Sequence, residues 1–305
     1  MGKVLVSAIV STYKSEEFIE GCLKDLEEQT IRDALEIIVV DSASPENEGK
    51  IVREFQKIYD NIVYIRTEER ESMYKAWNRA IKVARGEFIT NANTDDRHRK
   101  DAFEIMLEAF KLHPEVVLVY GDCLVTDVPN ETFENNSARW IFKWWDWDRC
   151  WLLAYACFMG PQPMWRKWVH RVFGYFDENL KQSGDYEFWL RISQIYDFYR
   201  IPFPLGLYYY NPKGVEHSNH ESRDKENAAI LSLYRKAANE GRIVRCPLLE
   251  NLASATDEDL SLLPIEVECR DPELVQRELL RRSSWWRRWK ESSYEPPSRS
   301  TLFPL

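Results

Sequence analysis

Two acidic sites carry most of the chemistry that this chain could perform. Asp95 and Asp96 stand side by side where the apolar start Phe88-Ile89 has run through Asn91-Ala92-Asn93-Thr94. Mg2+ and Mn2+ take oxygen ligands, commonly one or two protein carboxylates together with substrate phosphate oxygens. An Asp-Asp pair at the end of a buried strand meets that need, although plain turn chemistry yields the same pair. Asp185, in Gly184-Asp185-Tyr186-Glu187-Phe188-Trp189-Leu190-Arg191, stands just ahead of an aromatic-rich helical stretch. A carboxylate among apolar rings can have a raised pKa and serve as a general base. On residue type alone, a helix N-cap is the simpler role for it. Two further polar clusters, Ser11-Thr12-Tyr13 and Asp41-Ser42-Ala43-Ser44, follow apolar runs at 4–10 and 35–40.

The elements between these clusters explain why they matter together. Residues 4–10, 35–40, 62–65 and 116–120 are short apolar runs of strand type, and a further strand, fourth in chain order, begins at Phe88-Ile89. Between them lie helical spacings: Phe18, Ile19, Cys22, Leu23 and Leu26; Ile51, Val52, Phe55, Ile58 and Tyr59; residues 73–84, stopping at Gly86; and residues 102–112. Strand–helix alternation predicts a mostly parallel sheet with helices on both faces. In such sheets ligands bind beyond the carboxyl ends of the strands, where the clusters at 11–13, 41–44 and 93–96 fall. After residue 130 the pattern changes. Five Trp crowd into residues 140–151, residues 166–173 and 185–195 read as helical, residues 201–210 as a strand, and residues 221–239 as a helix ending at Gly241.

Composition removes several classes of function. Hydrophobic residues make up 44% of the 305 and charged residues 30%, so the chain is expected to fold as one large or two smaller domains. Forty-one Lys and Arg against fifty Asp and Glu leave −9, a poor balance for gripping duplex nucleic acid. The six cysteines, 22, 123, 150, 157, 246 and 269, form no C-x-x-C pair, which argues against structural zinc and for reduced buried thiols in a cytosolic protein. The longest apolar run, at 150–159, is too short to span a bilayer, and the opening apolar stretch is too short for a signal peptide. A cytoplasmic chain is expected.

The segments Val6-Ser7-Ala8-Ile9-Val10-Ser11-Thr12-Tyr13, Glu36-Ile37-Ile38-Val39-Val40-Asp41-Ser42, Ala76-Trp77-Asn78-Arg79-Ala80-Ile81 and Gly86-Glu87-Phe88-Ile89, the last running to Asp95-Asp96, come in a telling order. With Gly174-Tyr175-Phe176-Asp177-Glu178 and the stretch from Gly184 to Arg191, they resemble family-2 inverting glycosyltransferases with the GT-A fold. The likeness covers about residues 4 to 215. It implies an α/β fold: a GT-A type, mostly parallel central sheet with helices on both faces. A nucleotide-sugar-binding half would span 1–128, an acceptor-binding half 129–215, and a helical extension with a basic, Trp-rich tail 216–305.

The resemblance also implies roles. Ser11, Thr12 and Tyr13 would meet the nucleotide of the donor, Tyr13 with its ring face, and Asp41 would accept from the base. Asn93 and Thr94 would lie toward the ribose, with Asp95 holding a divalent cation, Mn2+ or Mg2+, on the diphosphate. Asn93 stands where the family usually has Asp, so one charge near the metal is lost, and Asp96 is the residue to compensate. Asp185 matches the family's catalytic base. Secondary candidates are His217 for the metal, Arg70 for the diphosphate, and Gln162, Trp165 and Arg166 for the acceptor. The donor expected first is a UDP-sugar, and the acceptor a glycan or lipid-linked hydroxyl. The alternatives are a sugar-1-phosphate nucleotidyltransferase, whose Gly-rich phosphate loop is missing from Ser11-Thr12-Tyr13-Lys14-Ser15, and an inactive sugar-binding or scaffold protein.

The tail is the least family-like region. Residues 277–290 hold six Lys or Arg, one Glu, and Trp285, Trp286 and Trp289, a net +5 against about −14 on the remainder. Basic residues with indole rings suit an anionic membrane surface, and docking on the acidic body is the competing outcome.

Overall fold

The computed structural model describes residues 3–138, 140–154, 157–212, 214 and 220–239. His217 and the 277–290 tail lie outside them. Strands are β1 (Val6–Thr12), β2 (Leu35–Asp41), β3 (Ile62–Arg66), β4 (Phe88–Asn91), β5 (Arg97–His98), β6 (Leu118–Thr126), β7 (Trp140–Phe142), β8 (Met164–Arg166) and β9 (Phe198–Tyr209). Helices are α1 (Glu16–Glu27), α2 (Glu48–Gln56), α3 (Met73–Val83), α4 (Ala102–Leu112), α5 (Arg149–Ala154), α6 (Val169–Phe173), α7 (Gly184–Ser193) and α8 (His220–Asn239).

The strands form one sheet in the order β3-β2-β1-β4-β8-β6-β9-β5, with β7 on β6. β3, β2, β1 and β4 run parallel, and β6 and β9 are parallel to each other. β8 enters antiparallel between β4 and β6, and β5 and β7 are short antiparallel partners of β9 and β6. The expected mostly parallel α/β sheet is therefore present, with strands drawn from both sides of residue 128.

Each face of the sheet has its own core, which is why the strands read as unbroken apolar runs. Ile9, Ile38, Val40 and Ile89 face a core shared with Tyr74 and Trp77 of α3 and Phe188 and Trp189 of α7. Alternate residues Ala8, Val10, Ile37 and Val39 face Ile19, Leu23 and Leu26 of α1, Val52 of α2 and Phe103 of α4. All four strand residues on the first face are essentially inaccessible, so truncating Ile9 or Ile38 to Ala should cost ~2–5 kcal/mol.

Three expectations change. The predicted helix at 166–173 starts three residues later, because Arg166 ends strand β8. The predicted strand at 116–120 begins at Leu118 and continues to Thr126 along β9. Cys22, Cys123 and Cys157 keep their thiols, but Cys150 is disulfide-bonded, which corrects the reading of six reduced thiols. Among the described residues no helix is long and apolar enough to cross a membrane.

Candidate functional site

Parallel pairing aligns Thr12 with Asp41 and Ile9 with Asn91, so the loops after β1, β2 and β4 leave the sheet at one edge. The first two loops are laced together. Ser42 N–H donates to the Thr12 carbonyl at 3.0 Å, and Lys14 N–H to Ser44 Oγ at 3.0 Å. Buried Glu48, at the start of α2, accepts from Ser15 N–H and Ser44 Oγ, both at 2.8 Å. Lys14 and Ala43 hold left-handed backbone at φ 54° and 53°, a strain of order 1 kcal/mol each that the lacing maintains.

Asp41 is fully buried at the end of β2. One carboxylate oxygen accepts from Ser44 N–H at 2.8 Å, and the other from Tyr64 Oη at 2.6 Å and from the Arg66 guanidinium. Burial, then the Asp41 bond, pushes the Tyr64 hydroxyl above its ordinary pKa. Hydrogen bonds to Tyr64 and Asp41 push the Arg66 pKa higher still, so Arg66 stays charged. Asp41 thus anchors the loop, and a nucleobase N–H would share a carboxylate already in use. Beside it the Thr12 hydroxyl is buried without a hydrogen-bond partner, and Ser11 is half-buried. The Arg70 guanidinium lies 4.2 Å from the centroid of the half-buried Tyr13 ring, a cation–π contact that holds Arg70 on the residue following β1.

At the end of β4, Asp95 and Asp96 part company. Asp95 is half-buried and accepts from Asn211 Nδ2 at 3.1 Å, just past the end of β9. Asp96 is 1% exposed and accepts from Asn93 Nδ2 at 3.0 Å and from Tyr209 N–H at 3.4 Å. The loop therefore ties Asp96 to Asn93, and Asp95 to Asn211. Thr94 is buried. Among the described residues no three His, Cys, Asp or Glu side chains converge on a metal position. An ion shared with substrate phosphates needs only one or two protein carboxylates, and Asp95 is the half-buried carboxylate of this loop that could supply one.

Asp185 does not cap α7. That helix begins at Gly184 after Ser183, which makes no side-chain cap bond, and Asp185 lies within the first turn. It is half-buried and accepts from Tyr74 Oη of α3 at 2.9 Å. Burial first, then the Asp185 charge, drives the Tyr74 hydroxyl far above the ordinary phenol range, so it donates as a neutral group. The contact depends on Gly184. A Cβ there would stand 2.7 Å from two carbons of the Tyr74 ring, so a larger residue would push the ring off the helix start.

The acceptor candidates fare differently. Gln162 is 6% exposed, donates to the Arg97 carbonyl at 3.1 Å, and packs so closely on Gly206 that a Cβ at 206 would overlap its Oε1. Trp165 is fully buried, and its Nε1–H donates to His170 Nε2 at 2.9 Å. Arg166 pairs in register with Phe88, at the opposite end of β4 from Asn91, and donates to the carbonyls of Val116 and Pro114. Antiparallel entry of β8 therefore puts Arg166 at the end of β4 remote from Asn91, while Pro161, just before Gln162, meets Asn91 at the near end. Tyr74, Asn211, Tyr64 and Arg66 were missed. For the last two the signal was present: they lie on the strand beside Asp41, in register at Arg66.

Comparison with known proteins agrees with this fold. The profile of "Glycosyl transferase family 2" matches residues 7–160. An uncharacterized glycosyltransferase of Methanocaldococcus jannaschii is 25% identical over 222 residues, covering 66% of this chain and 72% of the relative. Chondroitin synthase of Escherichia coli is 26% identical over 65% of this chain, but the match spans only 28% of that enzyme. Among solved structures, the mannosyltransferase PcManGT from Pyrobaculum calidifontis, in complex with GDP-Man and Mn2+, superposes with a TM-score of 0.57 at 18% identity, covering 96% of this chain and 85% of that one. S. aureus TarS in complex with UDP-GlcNAc superposes with a TM-score of 0.55 at 20% identity, covering 68% and 59%.

Proposed function

The chain belongs to glycosyl transferase family 2, and from that premise we propose that it is an inverting, nucleotide-sugar-dependent glycosyltransferase with Asp185 as the general base. The observation that carries the proposal is the Tyr74–Asp185 bond: a half-buried carboxylate in the first turn of α7 that accepts from a buried phenol at 2.9 Å. Asp185 takes the proton from an acceptor hydroxyl as that oxygen attacks the anomeric carbon. The bond from that carbon to the donor diphosphate breaks on the opposite face, so the configuration inverts. The transition state gains oxocarbenium character, as in glycoside hydrolysis.

The donor pocket is the strand-end edge. Tyr13 and Arg70 offer a ring and a guanidinium to the base or diphosphate, and the unpartnered Thr12 hydroxyl awaits a polar atom there. Asp95 is the residue that would hold a divalent cation, and Asp96 steadies the loop behind it. Such an ion, when bound, neutralises charge on the departing diphosphate. The complex of the mannosyltransferase with GDP-Man and Mn2+ supports this reading, and that of TarS with UDP-GlcNAc supports a nucleotide-sugar donor. The family match disfavours the nucleotidyltransferase alternative; release of pyrophosphate from a nucleoside triphosphate and a sugar phosphate would restore it. For the 277–290 tail the proposal is contact with an anionic membrane surface. Full-length protein should co-sediment with anionic but not neutral vesicles, and chain ending at Pro272 should not.

Asp185→Asn is the central experiment. It preserves shape but cannot take the proton, so turnover should fall ~10²-fold or more while donor affinity stays put. Near-normal turnover would remove Asp185 from the chemistry.

A further inference from the structure

Helix α8 reaches back to the segment that presents Asp185. The Glu226 carboxylate accepts three consecutive backbone N–H groups, from Lys181 at 2.8 Å, Gln182 at 2.8 Å and Ser183 at 3.0 Å. Backbone donors at a helix start need partners, and normally a nearby Ser, Thr, Asp or Asn supplies them. Ser183 supplies no such side-chain bond, and the acceptor comes from more than forty residues along the chain. Bonds from N–H groups to a carboxylate are about twice as strong as neutral ones, and a negative charge before a helix favours its dipole.

The same helix grips α7 from the other side of Asp185. Ile230 and Tyr234 are buried in the shared core, and Tyr234 Oη donates to the Glu187 carbonyl at 3.2 Å and carboxylate at 3.0 Å. Asp185 is thus bracketed at 181–183 and at 187 by one helix, while Tyr74 of α3 holds its carboxylate. We infer that Glu226 is a positioning residue for Asp185: it fixes the turn entering α7 so that the carboxylate stays seated on the Tyr74 hydroxyl. The inference rests on Asp185 being the base.

The test uses the full chain, with Glu226→Gln, Glu226→Asp, Asp185→Asn and the double variant Asp185→Asn/Glu226→Gln. Gln keeps one oxygen but turns an NH2 toward donors, so at least one backbone bond is lost. Turnover is read as nucleoside diphosphate released from UDP-GlcNAc or GDP-mannose, and amide hydrogen exchange is read at 181–183. Glu226→Gln should expose those amides and lower kcat about tenfold with donor KM within about twofold. Glu226→Asp, which keeps the charge, should recover part of both. In the Asp185→Asn background Glu226→Gln should cause no further loss of turnover, since a residue acting through Asp185 has nothing left to position. Unchanged amide protection in Glu226→Gln would overturn the inference whatever the turnover. An equal loss of turnover with and without Asp185 would also overturn it, by making Glu226 merely structural. Near-normal turnover of Asp185→Asn alone would instead remove the base reading itself.

Discussion

At the strand-end wall of the site, Asp41 is held by Ser44, Tyr64 and Arg66, all from its own loop or the neighbouring strand. At the helical wall, Asp185 is met by Tyr74 from 111 residues away, on a different helix. The first wall inherits its geometry from strand register, which many backbone hydrogen bonds maintain together. The second depends on a few side chains whose elements meet only through packing. Substitutions at the first wall should therefore show mainly in stability and donor binding, and those at the second mainly in turnover.

Acid should separate the two walls most strongly. His170, packed face to face with Phe188 of α7 at 4.9 Å, accepts from Trp165 on Nε2 and lies 3.0 Å from the Gly174 carbonyl on Nδ1. Trp can only donate, so the ring is neutral, and burial holds its pKa down at about 4. In the unfolded chain it titrates near 6.5. Its contribution is therefore complete above pH 6.5 and declines as pH falls toward 4, by roughly 3 kcal/mol. Buried His98 of β5, held at about 3 by burial and then by Arg97, pulls in the same direction to lower pH still. Urea unfolding at pH 7, 5 and 4 should show His170→Gln losing less on acidification than wild type; parallel curves would mean that His170 protonates freely in the fold.

Asp95→Ala probes the strand-end wall directly. At donor concentrations near 100 times Kd, wild type with Mn2+ should gain ~2.7 kcal/mol from a bound nucleoside diphosphate, and the variant should lose the metal-dependent part. Equal protection in both proteins would take the metal away from Asp95.

Asp41→Asn should lower stability by about 1–3 kcal/mol, because a neutral amide cannot satisfy Tyr64, Arg66 and Ser44 together. Arg66 is partly exposed, which keeps the cost in the lower part of that range. Chemical denaturation gives the number. A larger change in turnover than in stability would contradict the scaffold role and put Asp41 in the chemistry.

Tyr74→Phe is the smallest change and the sharpest test of the contrast. Removing one hydroxyl should lower kcat about tenfold, roughly 1.4 kcal/mol, with donor KM little altered. A loss confined to melting temperature would place Tyr74 in the core and nowhere else.

The amino-acid sequence by itself determined the strand-end wall. Apolar runs at 35–40 and 88–89, followed by Asp41 and by Asn93-Thr94-Asp95-Asp96, bring those groups to one edge once the strands pair in parallel, since parallel pairing leaves no other edge for them. Strands β5, β7 and β8 were not legible, because two or three residues carry no period. For the same reason the sequence does not show that Trp165 enters the core or that Arg166 stands at the end of β4 away from Asn91. Tertiary structure alone decided that Asp95 pairs with Asn211 while Asp96 is turned inward, and that Asp185 sits on Tyr74 instead of at the N-cap of its helix. A chain pattern records which face of an element is apolar; which distant side chain lands on a given carboxylate depends on how the elements pack, and that is set by the volume of every residue between them.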